Sequence, residues 1–169
     1  MALKKENNFA FIDSQNLNLG IQELGWKLDY QRFRTYLYEK YSIKKAYLFI
    51  GYLPENYDMY IDLQQKGYIL VFKPVLRTEE GIVKGNVDAD MVLQTMRDYK
   101  DGNFDNAVIV TSDGDFYCLV DYLYQRDVLK RVLSPTSKKC SDLLKKKAKN
   151  KIAFLDILRH KLEYKKSTP

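Results

Sequence analysis

Short apolar runs that end in acidic residues are the feature that most constrains the fold of this chain. The runs at 8–13 and 106–111 have the length of buried strands, and carboxylates close or follow them. In open α/β sheets the carboxyl ends of the strands border the ligand-binding crevice. Carboxylates packed together there repel one another unless a cation shares them, so the pattern predicts a metal site. The acidic residues concerned are Asp13, Asp113 and Asp115, and a third cluster, Asp88 and Asp90, follows the segment 84–87.

Apolar runs alternate with amphipathic patterns along the chain, as in the helical spacing of Phe33, Leu37 and Tyr41. Strands separated by helices form βαβ units. The pattern therefore predicts a three-layer α/β/α sandwich with a central, mostly parallel, Rossmann-like sheet. The predicted strands are 8–13, 45–51, 68–73, 106–111 and 128–133, and the predicted helices are 29–41, 55–66, 87–99, 115–126, 140–149 and 153–164.

The chain shows no internal repeat and no linker, so we expect a single domain over 1–164 and a frayed tail over 165–169. No apolar stretch approaches the roughly 20 residues of a membrane-spanning helix, and the start lacks the apolar region of a signal peptide. We therefore expect a cytoplasmic protein with no membrane partner.

Several chemistries lack the residues they need. Cys118 and Cys140 have no zinc-site spacing, and His160 is the only histidine, which excludes a ribonuclease that uses a histidine pair. The glycine-rich nucleotide-binding loops are also absent. Metal-activated water remains as the route to phosphodiester cleavage, and a few aspartates suit Mg²⁺ better than an imidazole-preferring metal.

The helix that opens near residue 87 distinguishes between its two acids. Asp88 lies at the edge of the predicted apolar stripe, whereas Asp90 aligns with Gln94 on the polar face, so Asp88 is the favoured ligand. Acids are also common in first helical turns because of the helix dipole, which is the competing explanation. The predicted stripe consists of Ala89, Val92, Leu93, Met96 and Tyr99.

Asp113 and Asp115 flank Gly114 at a predicted strand-to-helix turn. The alternative to a ligand role is that Asp113 or Ser112 is simply the N-cap of the helix. One acid of the pair could cap, but both capping is not expected, so at least one carboxylate remains for a ligand.

The positive charge is concentrated at the end of the chain. From Lys138 onward there are 11 Lys and Arg against 3 acidic residues. Lysines 145, 146 and 147 are the predicted contacts to a phosphate backbone, which the carboxylates alone would repel. A solvated helix face is the alternative.

Three ordered motifs resemble the NYN domains of the PIN-like nuclease superfamily, which includes the LabA-like proteins. The motifs occupy 11–16, 84–88 and 111–116, and 141–155 is a looser match to the closing segment of that family. The resemblance covers roughly residues 8–155, and the order of the three motifs makes it specific.

This resemblance implies a PIN-like fold, a Mg²⁺ or Mn²⁺ site, and single-stranded or structured RNA as the substrate. It places Asp13, Asp88, Asp113 and Asp115 at the metal-binding and catalytic acidic positions of the family. Asn16 would hold a metal-bound water or a phosphate, or else be a turn residue. Lys84 and Ser112 are candidate phosphate contacts, with solvation and turn capping as their respective alternatives.

One departure concerns Gln94, where many relatives carry another acid. The leading expectation is an endoribonuclease that cleaves RNA by metal-activated water, leaving 5′-phosphate and 3′-hydroxyl ends. The alternative is an RNA-binding or regulatory module that has lost turnover. The sequence leaves homo-oligomerisation open.

Overall fold

The computed structural model describes residues 5–83 and 87–167. Lys84, one of the expected phosphate contacts, lies outside them. None of the helices within these ranges combines the length and apolar character needed to cross a bilayer.

A six-stranded sheet forms the centre of the molecule, with strand order β3-β2-β1-β6-β7-β8 and every neighbouring pair parallel. A separate antiparallel hairpin consists of β4 and β5. The strands are β1 (Asn8–Asp13), β2 (Ile43–Tyr52), β3 (Tyr68–Pro74), β4 (Leu76–Thr78), β5 (Gly81–Val83), β6 (Ala107–Val110), β7 (Leu129–Ser134) and β8 (Ile152–Phe154). The helices are α1 (Ser14–Glu23), α2 (Tyr30–Tyr41), α3 (Tyr57–Gln65), α4 (Asp88–Lys100), α5 (Tyr117–Gln125), α6 (Asp142–Ala148) and α7 (Arg159–Leu162).

Every residue of β1 is buried, because helices cover both faces of the sheet. Ala10 and Ile12 belong to a core with apolar residues of α1 and α2, whereas Phe9 and Phe11 belong to a second core with residues of α4, α5 and α6. Alternate residues of one strand thus face opposite helix layers. The predicted α/β/α sandwich is confirmed.

The order of the strands reverses between β1 and β6. The chain adds β2 and β3 on one side of β1, then returns to place β6, β7 and β8 on the other. The neighbouring connections leave in opposite directions at this point, which opens a crevice at the carboxyl ends of the two strands.

The prediction of one helix over 153–164 is wrong. Ile152–Phe154 instead forms the edge strand β8, in which Ile152 is registered with Val132 of β7. A short 3₁₀ turn and the four-residue α7 follow. A helix here would place Phe154, Ile157 and Leu158 on one apolar face, but Ile157 is 76% exposed. Hydrogen bonding to the sheet outweighs the helical spacing.

Two further elements were not predicted. Helix α1 follows β1 directly, without an intervening loop, and buries Leu17 and Ile21 one turn apart. The β4–β5 hairpin consists of two three-residue strands, too short to produce a clear alternating pattern.

Candidate active site

Asp13 is the last residue of β1 and the N-cap of α1. Its Oδ1 accepts a hydrogen bond from the backbone N–H of Asn16 at 3.2 Å, and its Oδ2 accepts one from the Thr111 hydroxyl at 3.3 Å. Only 5% of the residue is exposed. Because both oxygens are engaged, the orientation of this carboxylate is fixed by the ends of β1 and β6.

The pKa of Asp13 is raised from 3.8 to about 6, chiefly by burial and to a smaller extent by the nearby negative charges of Asp88 and Asp113. The hydrogen bonds from Asn16 and Thr111 lower it, but not enough to offset the burial. Ionising Asp13 therefore costs free energy in the metal-free protein, and a cation placed beside it would reduce that cost.

The end of β6 supplies the next two carboxylates. Asp113 caps the 3₁₀ turn Gly114–Phe116, where its Oδ1 accepts the backbone N–H of Asp115 at 2.9 Å. The backbone N–H of Asp113 donates to the Thr111 hydroxyl at 3.1 Å, so this buried hydroxyl connects Asp13 to the turn. One acid of the pair caps and the other does not, as the sequence indicated. Sequence reasoning assigned no role to Thr111.

Helix α4 begins at Asp88, and three residues of the predicted stripe, Val92, Met96 and Tyr99, are partly buried against the core. Ala89 and Leu93 are exposed, and the buried residues are Met91, Thr95 and Asp98. Asp88 lies one turn before Met91, so it continues the buried face toward the crevice.

Asp90 lies away from the crevice, with its Oδ2 3.8 Å from the Lys73 Nζ. The preference for Asp88 therefore agrees with the geometry, although Ala89 and Leu93 of the predicted stripe are exposed.

Asp88, Asp113 and Asp115 come together as one group, since one carboxylate oxygen from each lies within 4.8 Å of the others. They border an open cleft of about 400 Å³. Three hard oxygen donors at this spacing, beside the buried Asp13, suit a divalent cation that retains several waters. The cleft is lined by Asp13, Gln15, Asn16, Leu19, Val87, Asp88, Asp113 and Asp115.

Asn16 joins the ends of β1 and β6. Its Oδ1 accepts hydrogen bonds from both the backbone N–H and the hydroxyl of Ser112, at 2.8 and 3.0 Å. Both residues thus fix the distance between the strands that carry the aspartates. The oxygen of Asn16 is already engaged within the protein, which favours a positioning role.

Gln94 does not line the cleft. Its amide donates to Asp98 at 3.1 Å, and Asn103 donates to the other oxygen of Asp98 at 2.8 Å. Gln94, where the resemblance leads us to expect an acid, therefore bonds within its own helix.

Gly114 and Ser141 form a contact that sequence reasoning did not identify. The backbone N–H of Ser141 donates to the Ser112 carbonyl at 3.1 Å, and its side chain caps α6. A Cβ at Gly114 would overlap the Ser141 hydroxyl and lie 3.0 Å from its Cβ. The only available signal was a glycine between two aspartates and the looser motif at 141–155.

The three candidate phosphate-binding lysines lie on α6. Lys145 is 3.5 Å from Asp142 and Lys147 is 3.3 Å from Asp121, whereas Lys146 is exposed. Two of the three charges thus already have acidic neighbours.

The profile of the NYN domain matches residues 9–156. A crystal structure of a protein of unknown function from Vibrio parahaemolyticus superposes with a TM-score of 0.75, at 24% identity over 92% of this chain and 96% of that one. That likeness concerns the fold. No protein with a curated description matches the sequence. Because the match spans most of the chain and includes the acidic cleft, this protein belongs to the NYN domain family, a nuclease-like group within the PIN-like superfamily.

Proposed function

We propose that this protein is a metal-dependent endoribonuclease that hydrolyses RNA phosphodiester bonds in the cleft between the ends of β1 and β6. The observation that carries the proposal is the three-carboxylate group of Asp88, Asp113 and Asp115 beside the buried Asp13. Membership of the NYN family supports a nuclease over other uses of an acidic cleft.

In this proposal Asp88, Asp113 and Asp115 hold Mg²⁺ or Mn²⁺, and Asp13 completes the negative charge of the site. Such an ion would lower the pKa of a bound water and offset the charge on the leaving oxygen. The Thr111 hydroxyl holds Asp13 in place, and the Asn16–Ser112 hydrogen bonds keep the ends of β1 and β6 together. These contacts preorganise the site before RNA arrives.

The test is cleavage of labelled single-stranded RNA by purified protein in Mn²⁺ and in EDTA. We expect cleavage in Mn²⁺ that leaves 5′-phosphate and 3′-hydroxyl ends, and no cleavage in EDTA. Asp113→Asn should abolish cleavage, while Asp90→Asn serves as a matched control because Asp90 lies outside the cleft. Cleavage that persists in EDTA, or cyclic phosphate ends, would exclude this mechanism.

The second candidate is an RNA-binding module without turnover, and the observation that favours it is Gln94. This residue bonds to Asp98 and adds no carboxylate to the cleft. If the protein binds RNA but never cleaves it in any divalent metal, and Asp13→Asn binds equally well, this candidate replaces the enzyme.

A further inference from the structure

A second concavity adjoins the acidic cleft. It lies between α1 and α3, across the carboxyl end of β2, and has a volume of about 860 Å³. We call it the α1–α3 groove. Gln15, Leu19 and Val87 line both spaces, so the groove and the cleft are continuous. A molecule whose reacting group lies at the aspartates can therefore extend into the groove.

The groove has apolar walls. Leu19 of α1 faces it from one side, Met59 and Leu63 of α3 from the other, and Phe49 and Ile50 lie at the end of β2. Met59 is 43% exposed, which is a large fraction for an apolar side chain in a concave site. Concave apolar surfaces of this volume are typical of ligand sites.

Amide side chains line the same groove. Gln15 and Asn18 come from α1, and Asn56 precedes α3. An amide offers both hydrogen-bond donors and an acceptor, which matches the mixed donors and acceptors along the edge of a nucleobase. Lys27 and Lys66 also line the groove, but so do Asp29 and Asp62, and Lys66 pairs with Asp62, so these four side chains carry no net charge.

We propose that the α1–α3 groove binds an unpaired nucleotide of the RNA substrate, next to the phosphate that lies at the aspartates. The inference rests on the proposed function and adds the place where one base of the RNA binds. The base would pack on Leu19 and Met59, while the amides contact its edge. A duplex does not fit this role, since its bases are stacked and their pairing edges are occupied.

The test compares two substitutions on one helix. Met59→Glu places a charge in the groove, and Ile61→Glu makes the same change at a residue of similar exposure, 37%, that does not line it. Binding of a labelled octaribonucleotide is measured by fluorescence anisotropy in EDTA, with the RNA single-stranded or annealed to its complement. A series of octaribonucleotides with one abasic position each tests whether a base is bound.

We expect Met59→Glu to weaken binding of the single strand by about fivefold, the lower end of the range for a base stacked on an aromatic ring, because Leu19 and Met59 are not aromatic. Ile61→Glu should leave binding unchanged. Removing one particular base should weaken binding to the wild type by a similar factor, and should have little further effect in Met59→Glu. Binding of the duplex should not respond to Met59→Glu.

If Met59→Glu and Ile61→Glu bind the single-stranded octaribonucleotide with equal affinity, the groove assignment is overturned. The proposed function would still stand in that case, provided that the wild type cleaves RNA. If Met59→Glu weakens the binding of every abasic strand by the same factor, the loss comes from charge repulsion rather than from a lost base contact. That result would also overturn the groove assignment. Absence of RNA binding and cleavage in the wild type would overturn both proposals. If Met59→Glu fails to fold, Asn18→Leu takes its place, because it removes an amide from the groove without adding charge.

Discussion

Asp13 is a carboxylate whose ionisation opposes folding. Burial is the largest cause of its raised pKa, and Asp88 and Asp113 add negative charge nearby. Such a cost at a buried position is typical of sites where function, rather than stability, selects the residue. Sequence reasoning identified Asp13 from its place at the end of an apolar run, but burial and the Thr111 hydrogen bond follow only from the packing of β1 beside β6.

Replacing Asp13 by Asn should stabilise the metal-free protein at high pH. The folded pKa of about 6 exceeds the ordinary value of 3.8, so the folded state binds the proton more tightly than the unfolded state. Stability therefore falls as pH rises from about 4 to 6, and the full penalty is present above pH 6. Relative to the wild type, we expect the free energy of unfolding of Asp13→Asn to be higher by up to about 3 kcal/mol at pH 8 and almost unchanged below pH 4.

Urea unfolding in EDTA across this pH range checks the prediction. Asp90→Asn is the control, since it removes a carboxylate outside the cleft. A destabilised Asp13→Asn at pH 8, or a pH profile that matches the wild type, would contradict the account.

At the scale of elements, the strands of the central sheet were the most predictable part. Parallel strands covered on both faces consist of continuous apolar runs, and β1 is such a strand. The edge strand β8 has three partly buried residues and exists because β7 pairs with it, which no local pattern reveals. Helix α4 shows the same limit, since its buried face includes Thr95 and Asp98. Both are polar residues that an apolar stripe omits.

The turn after β6 should tolerate no side chain at Gly114. Gly114→Ala would push the turn away from Ser141, so we expect the free energy of unfolding to fall by about 1–3 kcal/mol. The cleavage rate should also fall, because Asp113 and Asp115 move with the turn. Ser141→Gly costs only a few tenths of a kcal/mol as a cap and removes the clash. The double variant should therefore recover much of the loss. If the double variant instead loses the sum of the two single losses in thermal unfolding, the Gly114–Ser141 contact does not explain the effect.

Helix α6 should contribute to RNA affinity through charge. Each lysine that neutralises a phosphate of a single strand adds about 0.7 to the salt slope of binding. Replacing all three lysines at 145–147 by Gln would flatten the slope by about 2 if each one neutralised a phosphate. Because Lys145 and Lys147 already have acidic neighbours, we expect a change closer to about 0.7, the contribution of one lysine. Titration at several salt concentrations measures this, and an unchanged slope would leave the lysines as a solvated helix face.

At the scale of the whole molecule, topology brings distant residues together. Asp13, Asp88 and Asp113 are separated by long stretches of chain, yet they meet where the strand order reverses between β1 and β6. The sequence predicted which ends of which elements carry acids. The close group of three, with Asp13 more deeply buried beside it, depends on the packing of α4 against that crevice.

Metal binding at this crevice should stabilise the entire fold. A ligand at about a hundred times its dissociation constant adds about 2.7 kcal/mol, which raises Tm by about 5 °C or more for a chain of this size. We expect Mn²⁺ to raise the Tm of the wild type and of Asp90→Asn, but not that of Asp113→Asn. Equal shifts in all three proteins would locate the metal elsewhere.

The most direct test of the metal centre is a crystal soaked in Mn²⁺ and measured at a wavelength where manganese scatters anomalously. The account predicts a peak in the cleft, at coordination distance from carboxylate oxygens of Asp88, Asp113 and Asp115. A peak only outside the cleft, or a cleft without a peak while manganese occupies other sites, would contradict it.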